Sequence, residues 1–141
     1  MMTDLIEHIA NTNGLEAPLA SKAFGILLNS ADRQGAPLAE AVFRSIPGTR
    51  ALSAQVGAEI GAPTGEIARL IERTPGGRRC VVEDMFSALL DAGLGHDGLA
   101  RMLPVIGAWM KDTYGIEGMG TLSAIIAHDG ETAAAAAARA A

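Results

Sequence analysis

Glycine cuts this chain into short apolar stretches, and one phrase of such cuts occurs twice. The first copy runs from Gly14-Leu15 through the apolar block Leu19 to Leu28, turns at Gly35, and reaches Val42-Phe43 and Ile46-Pro47-Gly48. The second runs from Gly93-Leu94 through Leu99 to Met110, turns at Gly115, and reaches Leu122 and Ile125-Ile126. Between the glycines the apolar residues recur at helical spacing, and no segment sustains the alternation of a half-buried strand. The expectation is an all-α fold, a compact multi-helix bundle with an internal helical pseudo-repeat.

Local signals place the helices. Asp4 with Glu7 three residues on reads as a capping box ahead of Leu5, Ile6 and Ile9, and Asn13-Gly14 supplies the stop. Pro18 suits a first helical turn. Leu19, Ala23, Phe24, Leu27 and Leu28 then form a wide apolar stripe broken by one charge, Lys22, which predicts the most buried helix of the protein. Pro37 opens a helix that Pro47-Gly48 closes, and Thr49 is placed to cap the next, with Leu52 and Val56 inside. Thr64 is read as the cap of a helix that buries Ile67, Leu70 and Ile71, and Pro75-Gly76-Gly77 as its stop. Val82, Met85, Phe86, Leu89 and Leu90 give the cleanest amphipathic pattern, closed by Gly93. Asp97 is read as the cap of a helix carrying Leu99, Met102, Leu103, Ile106, Trp109 and Met110. Pro104, which cannot donate to the Ala100 carbonyl, predicts a kink or a fresh start within it. Gly118 and Gly120 loosen the chain before Thr121 caps a short helix through Ile126.

These signals predict one all-α domain over residues 1–130, with pseudo-repeats at 4–56 and 82–127 and a loose hinge at 57–81. An Ala-rich tail follows at 131–141, with six alanines in a row. Alanine favours helix, but so short a helix is marginal alone in water, so the tail is expected to be either disordered or docked, on a neighbouring subunit for example.

Charge and composition narrow the function. The net charge of −5 gives no global field for nucleic acid. The single Cys80 excludes an internal disulfide and fits a reducing cytoplasm. The N-terminus shows no signal-peptide pattern, and no apolar run is long enough to predict a membrane span. Aromatic residues are 4% of the chain, so a core of many modest aliphatic contacts is expected.

The chemistry-bearing residues are sparse. Each histidine lies beside an acid, as Glu7-His8, His96-Asp97 and His128-Asp129. Sequence neighbours on a helix point about 100° apart, so adjacency alone makes no catalytic dyad; convergence of His96 and His128 with an acid would be needed. No zinc-type ligand spacing occurs, and Cys80 has no nearby histidine to activate it, although Arg78-Arg79 precede it. No catalytic residue, metal or cofactor is therefore expected. Arg69, Arg73, Arg78 and Arg79 form the one local basic cluster, a candidate binding patch for an acidic partner or nucleic acid, with Glu66 and Glu72 as partial counterions.

The order Gly14-Leu15, Ala20 to Leu28, Gly35, Phe43 and Ile46-Pro47-Gly48 resembles the VcgC/VcgE-type bacterial domain of unknown function and, more distantly, the YidB-like helical proteins. The resemblance covers the first 60 residues best and reaches the second half only through the repeat. It implies a small all-α bacterial domain without known catalytic residues, and a homeodomain-like helix arrangement by way of the YidB-like proteins. The arginine-bearing hinge and the Ala tail depart from that pattern. Together these readings favour a non-enzymatic, self-associating interaction module, with a regulatory nucleic-acid binder as the alternative.

Overall fold

A computed structural model describes residues 2–62 and 65–125. Among them it contains eight helices and no strand: α1 (Met2–Asn13), α2 (Ala17–Arg33), α3 (Pro37–Ser45), α4 (Thr49–Glu59), α5 (Glu66–Glu72), α6 (Pro75–Ala92), α7 (His96–Tyr114) and α8 (Leu122–Ile125). The Ala-rich tail at 131–141 and the His128-Asp129 pair lie outside the described residues.

The stripe on α2 does what its width predicts. Every residue from Ala23 to Ala31 is buried, and α1, α3, α4, α6 and α8 all pack against this helix. A helix covered all round must let some neighbours come close, and α4 does so over small residues. A Cβ added at Gly25 would sit 2.5 Å from Val56 Cγ2, and one at Gly57 would sit 2.5 Å from Asn29 Nδ2. Asn29 donates across the same crossing to the Ser53 carbonyl at 3.4 Å. Gly57 therefore belongs to the α2–α4 contact, inside a helix, and not to a loose connection.

The doubled Gly-Leu step is a helix stop. At Gly14 (φ 65°) and Gly93 (φ 105°) the backbone turns left-handed, a conformation that costs glycine little. The following amide then reaches back five residues, Leu15 to the Ala10 carbonyl at 2.9 Å and Leu94 to the Leu89 carbonyl at 2.8 Å. This is the longer hydrogen bond of a Schellman cap. The same bond closes α2 at Ala36 and α4 at Ala62. What recurs at the two Gly-Leu steps is thus a termination device that the chain also uses elsewhere.

Several boundaries differ from the sequence expectation, each for a local reason. Helix α1 already includes Met2, so Asp4 sits in its first turn, where a carboxylate suits the helix dipole, and is not the cap. Gly48 and Gly95 hold the cap positions expected of Thr49 and Asp97. The buried Thr49 hydroxyl instead donates to the Ile46 carbonyl at 2.8 Å. Pro104 neither stops nor restarts α7, which is continuous from His96 to Tyr114. Pro104 and Ala100 are both exposed, so water can serve the carbonyl that the proline leaves without a donor. Gly120 marks a close approach, since a Cβ on Gly107 of α7 would lie 2.6 Å from the Gly120 Cα.

The segment 57–81 holds the end of α4, all of α5 and the start of α6. Pro75-Gly76-Gly77 opens α6, because Thr74 accepts from the Gly77 amide at 3.1 Å while Pro75 fills the first turn. No helix among the described residues is long and apolar enough to cross a membrane.

The α2–α4 crossing yields a paired expectation for thermal or denaturant unfolding. Gly25→Ala drives a methyl into the stiff, buried Val56 and should destabilise by about 1–3 kcal/mol. Gly76→Ala meets nothing within 4 Å in the first turn of α6 and should stabilise by about 0.4–1 kcal/mol.

Candidate functional site

Helix α5 is turned inside out. Ile67, Leu70 and Ile71 are 76%, 67% and 59% exposed, whereas the charged Glu72 is only 6% exposed. The expectation that the isoleucines and leucine pack inward is thereby corrected. The cause lies at the C-terminal end of α2. Arg33, 2% exposed, closes its last turn, and its Nε donates to Glu72 Oε2 of α5. Asp84 of α6 approaches the same guanidinium at 3.7 Å. A buried Arg33 without a counter-charge would be costly, and Glu72 can supply that charge only if α5 presents its polar side.

Two further arginines reinforce the arrangement. Arg69 Nη2 lies 3.7 Å from Asp32 Oδ2. Arg73 lies against Gly35, where a Cβ would come within 3.0 Å of its Nε. Both contacts fall at the C-terminal end of α2, the negative end of the helix dipole. At the C-terminal end of α5, Thr74 donates to the Ile71 carbonyl at 2.6 Å while it caps α6, and a Cβ on Gly77 would overlap that carbonyl. The α5–α6 corner is therefore held from both sides.

The four arginines of the candidate patch do not form one free basic face. Arg69 is paired with Asp32, Arg78 is half-buried, and Arg79 pairs with Glu83 one turn along α6 at 3.6 Å. Arg73 is exposed at the edge of α5, beside a hollow of about 480 Å³ lined by Gly65, Glu66, Arg69, Leu70 and Arg73. A second groove of about 490 Å³, between α2, the end of α4 and α6, is lined by Lys22, Arg33, Glu59, Asp84 and Asp91 among others.

The histidines are engaged with aromatic rings. His8 stacks on Trp109 with centroids 4.9 Å apart, and His96 on Phe86 at 4.8 Å. Among the described residues no group of three or more His, Cys, Asp or Glu is arranged as a metal site, and Cys80 is exposed on α6. On α6, Val81, Met85 and Leu89 are buried, while Leu90, expected on the inner face, is 66% exposed.

No family model matches the chain, and comparison with curated proteins and with solved structures gives no match. The inverted face of α5 was not legible as such in the sequence. Its signal was the presence of two interleaved helical sets, Ile67-Leu70-Ile71 and Arg69-Glu72-Arg73, both at i, i+3, i+4 spacing.

The Arg33–Glu72 pair can be tested by a double-mutant cycle in unfolding experiments. Arg33→Met strands the buried Glu72 carboxylate and should destabilise by about 3–5 kcal/mol. The double variant Arg33→Met/Glu72→Met removes both charges and should recover most of that loss.

Proposed function

We propose that this chain is a helical interaction module that works by self-association and carries no catalytic reaction of its own. The observation that supports this reading is the aliphatic face of α5, with Ile67, Leu70 and Ile71 turned to solvent while the polar side of the same helix is tied into the bundle. A contiguous exposed apolar face marks an interaction site more often than an accident of packing. Here the buried ion pair holds it outward, so rolling the face inward would cost Arg33 its buried partner Glu72 and leave it only Asp84 at 3.7 Å. The single exposed Cys80 suits a module that works in a reducing compartment such as the cytoplasm.

The alternative, a regulatory nucleic-acid binder using Arg69, Arg73, Arg78 and Arg79, has weaker support. Asp32 and Glu83 offset part of that charge, and the whole chain carries −5.

Sedimentation velocity across a concentration series up to about 500 µM should show a reversible shift from monomer to dimer, in keeping with a small interface. Leu70→Glu should remove the shift without changing the helical circular dichroism. A parent protein that stays monomeric over the whole range would overturn the reading.

A further inference from the structure

We propose that α5 meets α5 of a second copy of this chain as an antiparallel pair about a two-fold axis, with Glu66 of each copy against Arg73 of the partner subunit. This rests on the self-association reading above and gives it a geometry. The argument starts from the helix itself. Glu66 and Arg73 are seven residues apart, so they lie within ~20° of each other around the helix and about 10 Å apart along it. They therefore mark the two ends of one flank, negative at the N-terminal end and positive at the C-terminal end. Both are exposed, and neither has an ion-pair partner among the described residues.

An antiparallel copy related by a two-fold axis reverses the helix but keeps that flank on the same side. Each Glu66 then falls opposite an Arg73, and two ion pairs form from one self-complementary patch, as an isologous interface requires. The apolar residues obey the same symmetry. Ile67 and Ile71 straddle nearly the same midpoint as Glu66 and Arg73, so Ile67 of one copy meets Ile71 of the partner subunit. Leu70 lies close to the axis, beside the hollow of about 480 Å³ lined by Glu66, Leu70 and Arg73, which is placed to receive Leu70 of the partner subunit. A parallel pairing, about an axis along the helices, would put the two flanks on opposite sides of the seam, and neither ion pair could form. An unrelated partner would need this charge order in reverse by coincidence, whereas a second copy carries it by construction.

The patch is small against the roughly 800 Å² per partner of a standard interface, so the dimer is expected to be weak, with a Kd on the order of 10–100 µM. Charge-swap variants, measured by sedimentation equilibrium of the full chain, separate the possibilities. Glu66→Arg alone and Arg73→Glu alone should each weaken homodimerisation about tenfold by creating two like-charge contacts. An equimolar mixture of the two variants should form a heterodimer at least as strong as the parent, because every contact is again opposite in sign. Thermal unfolding reports the fold of each variant, and the mixture, which restores the interface charges without restoring Arg73 to its place against Gly35, keeps the test independent of that packing.

If the parent dimerises but the single variants dimerise equally well, or the mixture is no stronger than either variant alone, the α5 pairing is overturned and self-association stands on another face. A parent that does not dimerise overturns both.

Discussion

Burying an arginine at the end of the most enclosed helix creates a debt of charge that the rest of this region is arranged to settle. Arg33 sits in the last turn of α2, where its cation suits the helix dipole but its enclosure removes it from water. Glu72 supplies the counter-charge from α5, and Asp84 approaches from α6. Meeting Glu72 fixes the rotation of α5 about its axis. That rotation in turn decides that Ile67, Leu70 and Ile71 face outward. A structural requirement at one helix end thus becomes a surface property of another helix, 39 residues away in the sequence.

The remainder of the bundle supports this by leaving α5 little freedom. Helix α2 is held by close contact with α4 over Gly25, Asn29 and Gly57, so the end that carries Arg33 is well positioned. The corner at Thr74 ties the last carbonyls of α5 to the first amides of α6 through one hydroxyl. Gly77 leaves room for the Ile71 carbonyl to approach. Short-range capping and long-range ion pairing therefore agree on one placement, the kind of consistency that specifies a single structure. The arginines that read as a basic patch are largely spent in this task, which is why interaction through the apolar face is the better supported reading.

Much of the architecture was legible before any coordinates. The all-α class followed from periodicity, the central role of α2 from the width of its stripe, and the ends of α1, α2, α3, α6 and α7 from glycine and proline signals that act within a few residues. Errors clustered where a residue had two plausible partners. Pro75-Gly76-Gly77 read only as a stop; α5 does end before it, but the same residues also open α6, because proline and a hydroxyl cap suit the first turn as well as they suit a break. Pro104 read as a kink or a fresh start, and α7 continues through it, with the Ala100 carbonyl that it leaves without a donor on the wet side of the helix. The doubled Gly-Leu phrase read as a repeat of units, and its two copies share a backbone hydrogen bond that two further helix ends also use.

The amino-acid sequence by itself determined where helices form and how they end, because those choices depend on contacts within a turn or two of each residue. It also determined that α5 has an aliphatic side and a charged side. It did not determine which side faces in. Ile67, Leu70 and Ile71 share their spacing with Arg69, Glu72 and Arg73, and a period carries no sign. Only the tertiary structure decided the direction, because it set a buried arginine of α2 beside the charged side of α5, where Glu72 supplies the counter-charge that the enclosed guanidinium requires.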